Sequence, residues 1–338
     1  MEVAKEQYGA KALRGGGHSQ PLVQANKEAE MNTSKRPVII AGNGPSLARI
    51  DYTRLPQDFD VYRCNQFYFE DKYYLGKRVT SAFFNPAVFY EQYYTLKNLE
   101  ERGEYSYEHL YSSKMLWGTE DLRINPFFNM VFPDAIELYS IMREYPKVHA
   151  FLKYNDLFHR QRATSGVLML LAVAINGYRE MHLIGIDFYE GGDYAFDIKK
   201  KNLLRLVPEF KERAKSEQHT KNFDLQAIKV IAEHFDLKLY DLSLDGSHPL
   251  GLPKSPVVNS GFVLEDKPLD SIKDITIPPL ENPYRDIETL LLRTMKNVHT
   301  GLEKIYVTLE DICKELQRNV FKRWCLDMRR IFTKIFRK

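Results

Sequence analysis

Gly42, Asn43, Gly44, Pro45 and Ser46 stand between a short apolar run, Val38 to Ala41, and a segment that starts like a helix. Backbone N–H groups at a helix start lack intrahelical acceptors and attract phosphate, and glycines let the backbone approach it closely. The stretch lacks the third glycine of the dinucleotide fingerprint and the lysine of a P-loop. It therefore predicts a nucleotide site, and it describes an ordinary tight strand-to-helix turn equally well. Two further extended runs end alike, one in Asn65-Gln66 and one in Asn85-Pro86. Ligands of open α/β sheets sit beyond the carboxyl ends of the strands, so Asn43, Asn65 and Asn85 are expected to converge on one crevice. Neutral amides suit sugar hydroxyls and a pyrimidine edge better than a metal. Asparagine is equally the residue expected at left-handed turn positions.

The second half of the chain points to the same edge. Thr164-Ser165-Gly166 opens a nine-residue apolar run, Val167 to Ile175, far short of the roughly 20 residues that cross a bilayer. It reads as a buried helix whose start offers the Ser165 hydroxyl and free N–H groups to an anion. Met181 to Ile186 reads as another core strand, delivering Asp187, Phe188 and Tyr189. The polar, aperiodic stretch that follows, about 188–222, is expected to be a mobile lid, with Tyr189 and Tyr194 at its start and His219 near its end. Asp58 and Asp60 have the acid-x-acid spacing by which many transferases hold manganese, yet they precede their strand, at the edge opposite the asparagines. No metal is expected.

The segments Ile40 to Leu47, Asp60 to Lys77, Glu91 to Lys97, Gln161 to Gly166 and Gly185 to Tyr189 resemble the bacterial sialyltransferases typified by the Campylobacter lipooligosaccharide enzymes. The resemblance runs from about residue 36 to about residue 245. It implies an inverting, metal-independent transfer of sialic acid from CMP-sialic acid to a terminal galactose or sialic acid of a lipooligosaccharide. The implied linkage is alpha-2,3, with alpha-2,8 as a second. By this resemblance His219 is the general base, and Tyr189 and Tyr194 hydrogen-bond the departing phosphate in place of a cation. One residue fewer separates these tyrosines than in the family pattern. Asn43, Asn65, Asn85 and Ser165 match donor-binding positions, with Gly42, Gly44, Gly166 and Asp187 beside them. Arg162 matches a basic residue near the acceptor, Thr164 a neighbour of the sugar, and Gln66 and Gln92 contacts of the sialic acid. Rim residues such as Ala87 and the 190–218 segment would select the acceptor. A homo-oligomer is implied too, tetramers being among the family's assemblies.

A chain of 338 residues, 44% hydrophobic, accommodates one α/β core of roughly 200–250 residues plus tails. The expected fold is a Rossmann-like, open, mainly parallel sheet with helices on both faces, a GT-A-like variant spanning 36–248. Residues 1–35 have no apolar core, which argues against a signal peptide or a span and for a disordered segment. Three widely spaced cysteines, Cys64, Cys313 and Cys325, argue against a disulfide framework or zinc site and fit a reducing cytoplasm. Proline-rich stretches mark 249–300 as a linker. Beyond it, Ile305, Leu309, Ile312, Leu316, Val320, Trp324, Met328, Ile331 and Ile335 recur at steps of three and four, predicting an amphipathic helix over 301–338. From Arg318 to Lys338 eight basic residues face one acid, Asp327, a local +7 in a chain of net +3. This end reads as a peripheral anchor on the anionic cytoplasmic membrane surface. A helix packed on the core or on another subunit is the alternative. No nucleic-acid reader motif accompanies the basic tail, so no nucleic-acid partner is expected. A transferase using another nucleotide sugar, and a non-catalytic membrane-associated nucleotide-sugar-binding protein, both stay open.

Overall fold

The computed structural model describes residues 36–85, 88–113, 132–188, 190, 194–207, 218–246, 248–277 and 283–335. The segment 1–35, Ala87 and Tyr189 lie outside these residues, as do parts of the expected lid. The chain divides into two units, one ending at Ile277 and one starting at Pro278.

The first unit is built on seven strands: β1 Val38–Ala41, β2 Asp60–Cys64, β3 Arg78–Phe84, β4 Ser106–Ser112, β5 Ala135–Glu137, β6 Glu180–Ile184 and β7 Lys238–Asp241. Their order is β5-β4-β3-β2-β1-β6-β7, and every pairing is parallel. Central parallel strands are covered on both faces, so they read as continuous apolar runs, and all four residues of β1 are buried. Alternate side chains serve opposite layers. Val38 and Ile40 join one core and Ile39 and Ala41 another.

Helix α1 spans Phe89–Glu101, α2 Leu138–Met142, α3 Pro146–His159, α4 Ser165–Ile175, α5 Lys201–Leu206 and α6 Lys221–Phe235. Apolar residues of α3, α4 and α6 pack with Tyr62, Phe83 and Tyr111 on one face, while those of α1 and α5 pack with Ala82, Phe84 and Leu110 on the other. Helix α4 is apolar nearly all round because it is buried between the sheet and α6. Its direction, antiparallel to the strands, brings its first turn to their carboxyl ends. Chain order switches between β1 and β6, the site of the crevice in such sheets.

The stretch read as a lid is anchored where it is described. Phe196, Leu203 and Leu206 are buried in the core that holds Phe69 and Phe89. Three anchors at steps of seven and three give no strand or helix period, which is why the segment reads as polar and loose.

The second unit contains α7, Pro283–Ile335, a single helix of 53 residues and about 80 Å. It begins within the stretch expected as linker. Pro283 opens the helix, where its missing N–H costs nothing, and Gly301 is carried within it at about 1 kcal/mol. No described helix is long and apolar enough to cross a membrane.

Candidate functional site

The glycine turn after β1 is a close contact between two strand ends. A Cβ on Gly42 would lie 2.1 Å from the Gly185 carbonyl oxygen, and one on Gly185, at φ +66°, 2.4 Å from the Gly42 oxygen. The Gly42 N–H donates to Ile184 O and the Gly44 N–H to Gly185 O, both at 2.9 Å. The turn continues into a single 3-10 turn, Pro45–Arg49, rather than a helix. Its donors are taken: Ser46 N–H donates to Asp187 Oδ2 at 2.9 Å and Leu47 N–H to Gly44 O at 3.0 Å. The Ser46 hydroxyl accepts from Gly185 N–H at 2.8 Å. The expected phosphate cradle is thus filled by a carboxylate of the protein itself. Asp187, expected among the donor-binding residues, is spent on this brace.

The asparagines do share one edge. Asn65 and Asn85 follow the last residues of β2 and β3, and Asn43 stands two residues past the end of β1, the three strands being adjacent at roughly 4.8 Å. Asn43 Nδ2 donates to Cys64 O at 3.0 Å, tying β1 to β2. Its Oδ1 is buried and without a hydrogen-bond partner among the described residues. Asn65 takes the left-handed backbone, φ 51°, and its Oδ1 accepts from Asn85 N–H at 2.9 Å, so turn and strand-end roles coincide. Gln66 Nε2 donates to Gln92 Oε1 at 3.3 Å, and Gln92 Nε2 to Asn85 O at 3.4 Å. Both glutamines are buried, Gln92 completely. Gln92, carried by α1, thus braces the Asn85 carbonyl, and Gln66 braces Gln92.

Tyr194 reaches this edge through its neighbour. Ala195 N–H donates to Asn43 O at 2.9 Å, laying the Tyr194 segment over Asn43. The Tyr194 ring packs on Phe196 at 5.4 Å, and burial pushes its hydroxyl up to about 12. It remains a protonated donor throughout the neutral range.

A second cluster surrounds the start of α4, whose Gly166 lies against Ile186 just past β6. Asp224, in the first turn of α6, accepts from Thr164 N–H at 3.0 Å and from the Thr164 hydroxyl at 2.8 Å. Burial raises the Asp224 carboxyl, an effect opposed by those two bonds and by the charge of His219. Thr164 stands at the N-cap, where its carbonyl accepts from Leu168 N–H at 3.0 Å while its side chain makes no cap bond to the helix. The first-turn N–H groups that follow, from Ser165 and Gly166, have no intrahelical acceptor. His219 Nδ1 lies 2.8 Å from Arg162 O. A carbonyl only accepts, so Nδ1 carries a proton, and in the neutral ring Nε2 presents the lone pair. Arg162 itself is engaged: its N–H donates to Gln218 O at 2.8 Å, its Nη1 to Gln218 Oε1 at 3.3 Å and its Nε to Asp156.

Asp224, Gln218 and Asp156 were invisible as site residues in the sequence. The one signal is local: Thr220 caps α6 by accepting from Phe223 N–H, and an acid follows within the first turn. Phe188 was also missed. It holds φ 50°, unusual for a bulky residue, and is buried with its ring against His248 at 5.6 Å.

Asp58 and Asp60 lie at the amino edge of β2. Asp58 pairs with Arg36, and Asp60 with Arg78, Thr80 and Tyr178. Among the described residues no three His, Cys, Asp or Glu side chains gather as a metal-binding group.

The family described as CST-I, Alpha-2,3-sialyltransferase, matches residues 36–315. The sialyltransferase CstII of Campylobacter jejuni, solved with the substrate analogue CMP-3FNeuAc, superposes with TM-score 0.67 at 43% identity, covering 75% of this chain and 99% of that one. CST-II has also been solved with a trisaccharide acceptor and CMP. The monofunctional alpha-2,3-sialyltransferase Cst-I of Campylobacter jejuni superposes with TM-score 0.68 at 36% identity, covering 79% and 97%. An uncharacterized protein of Haemophilus influenzae is 35% identical over 142 residues, 41% of this chain, and the match spans 61% of that protein's length. With a match over most of its length and this seven-stranded sheet, the chain belongs to the CST-I alpha-2,3-sialyltransferase family.

Proposed function

We propose that the protein transfers sialic acid from CMP-sialic acid to a terminal galactose, or to an existing sialic acid, of a lipooligosaccharide, with inversion and without a metal. The observation that carries the mechanism is the bond from His219 Nδ1 to Arg162 O, which leaves Nε2 as a base at the carboxyl edge of the sheet. His219 Nε2 takes the proton of the acceptor hydroxyl. The acceptor oxygen bonds to the anomeric carbon while the bond from that carbon to the CMP phosphate breaks. The departing phosphate carries away the electron pair and is met by the phenols of Tyr194 and Tyr189. Two neutral donors suffice for a monophosphate where a diphosphate would call for a cation.

Donor binding follows the same edge. The Asn43, Asn65 and Asn85 amides are suited to the nucleoside, and the start of α4 at Ser165 and Gly166 is suited to the phosphate. Asn43 is only 6% exposed, so the edge opens locally for a donor to reach its side chain. Arg162 acts through the His219 loop. The basic end of α7 is suited to the anionic inner surface of the cytoplasmic membrane, near a lipid-linked acceptor.

CMP release from CMP-sialic acid with lactose, in EDTA, tests the reading in wild type and His219→Ala. The expected result is acceptor-dependent release in wild type and a loss of roughly 10²–10⁴-fold in the variant, with CMP affinity kept. Release that depends on another nucleotide sugar, or absent with every acceptor tried, would overturn it.

A further inference from the structure

Asp224, in the first turn of α6, is 1% exposed, and the proposed reaction does not use it. The Thr164 N–H and hydroxyl donate to its two oxygens at 3.0 and 2.8 Å. Among the described residues the charged neighbour that acts on this carboxylate is His219, five positions earlier; no lysine or arginine does. Burying a carboxylate without a cation is costly, and the favourable end of a helix dipole returns only a small part of that cost. The hydrogen bonds do not call for the charge either. An asparagine would accept from the Thr164 N–H, donate to the Thr164 hydroxyl and leave nothing ionised to bury.

We propose that Asp224 is a positioning residue of the reaction, acting through His219 and Thr164: it frames the base against the start of α4 and holds a negative charge beside the imidazolium that forms when the acceptor gives up its proton. The inference rests on the reading of His219 as the base. The frame joins two short segments. Arg162 N–H donates to Gln218 O, His219 Nδ1 to Arg162 O, and Thr164 to Asp224 twice. Bonds in both directions fix the register of one segment against the other. Thr220, the N-cap of α6, follows His219 directly, and Asp224 N–H donates to Thr220 O at 3.0 Å, so base and carboxylate ride on one helix start. At the other end the Thr164 hydroxyl stands at the N-cap of α4 yet donates to Asp224. A hydroxyl turned to its own helix would take up a first-turn N–H that a phosphate can use. Asp224 therefore keeps the first turn of α4 open to the donor.

The other charged side chains of the loop are matched. Arg162 Nε donates to Asp156, and Lys221 Nζ to Glu190 at 2.6 Å. Asp224 has no cation of its own until His219 is protonated. As His219 Nε2 takes the acceptor proton, the ring keeps Nδ1–H on Arg162 O and becomes a cation, while Asp224 stays ionised and takes no proton. The carboxylate attracts that cation and not the neutral ring of the resting enzyme, and only such a difference accelerates a step.

The test is Asp224→Asn in the full chain, alone and combined with His219→Ala, read as kcat, KM for CMP-sialic acid and lactose, CMP affinity and urea midpoint. The kcat is expected to fall roughly 10–10²-fold with both KM values within about threefold, since asparagine keeps the bonds to Thr164 and loses the charge. CMP affinity should be kept, and the urea midpoint should hold or rise, because a buried charge is gone. In the His219→Ala background the same change should cost less than about twofold, there being no imidazolium left to serve. Asp224→Ala, which also releases Thr164 to cap α4, should add a rise in the donor KM. An equal loss in both backgrounds, an unchanged kcat in the single variant, or a loss that tracks a lowered urea midpoint would overturn the proposal. A wild type inactive with these substrates would overturn the reading it rests on, and the proposal with it.

Discussion

Replacing Asp187 separates the two places where a phosphate could sit. Its carboxylate holds the Ser46 N–H at 2.9 Å, and Ser46 is only 7% exposed. Asp187→Ala leaves that buried donor without an acceptor, at about 1–3 kcal/mol. The change also empties space that Oδ2 fills, 2.2 Å from where a Gly44 Cβ would lie. A total near 2–3 kcal/mol should lower the urea midpoint by roughly 1 M. Asp187→Asn keeps an oxygen for Ser46 and should cost under about 1 kcal/mol. CMP titration then reads the electrostatics. A phosphate on the glycine turn would lie about 5 Å from the carboxylate, a repulsion of ~3 kcal/mol at an effective dielectric of 20, so Asp187→Asn would tighten CMP roughly a hundredfold. With the phosphate at the start of α4, affinity should change by only a few-fold. Tightening of tenfold or more with an unchanged urea midpoint would refute the reasoning and restore the turn as the cradle.

Other expectations rest on buried charge. Glu70 receives Arg63 Nη2 at 2.7 Å with both side chains almost fully enclosed, so Glu70→Ala should cost about 3–5 kcal/mol in urea unfolding, while Arg63→Met/Glu70→Leu should recover much of it. Burial raises Glu137 from 4.5 to about 7, with Oε1 unpartnered among the described residues. The folded state therefore binds the proton more tightly, and stability falls by up to about 3 kcal/mol as pH rises from about 4.5 to about 7. Glu137→Gln should flatten that decline in urea midpoints compared at pH 5 and pH 8. Tyr194→Phe should lower turnover roughly 10²-fold, and the wild-type rate should show no loss from this phenol below about pH 11, since its hydroxyl stands near 12.

What the sequence discloses is what is local. Strands buried on both faces are continuous apolar runs, so β1, β2, β3 and β6 can be read with their ends, and the asparagines at those ends follow. The helical period discloses α7 beyond residue 301, while His299-Thr300-Gly301 hides its continuity with Pro283, because one glycine does not break a helix that is otherwise favoured. The glycine turn shows where local reading stops. The sequence shows that no side chain fits at Gly42 and Gly44, but not what occupies the space, which is the Gly185 backbone and a carboxylate 141 positions downstream of Ser46. The same distance hides Asp224, paired with Thr164 across 60 residues, and the brace of Gln92 on Asn85.

These long-range contacts share one physical logic. At the carboxyl edge of a parallel sheet each strand leaves its last carbonyl and the next N–H without ladder partners, and side chains from other elements must satisfy them. Asn43 serves Cys64 O, Asn65 serves Asn85 N–H, and Asp187 serves Ser46 N–H. The groups that close the fold at this edge are therefore the groups a nucleotide would meet there. Asn43 keeps one half of its amide for the fold and leaves the other, Oδ1, buried and without a hydrogen-bond partner among the described residues. An acceptor already held in place by the bond from Asn43 Nδ2 to Cys64 O needs little further ordering to meet a donor.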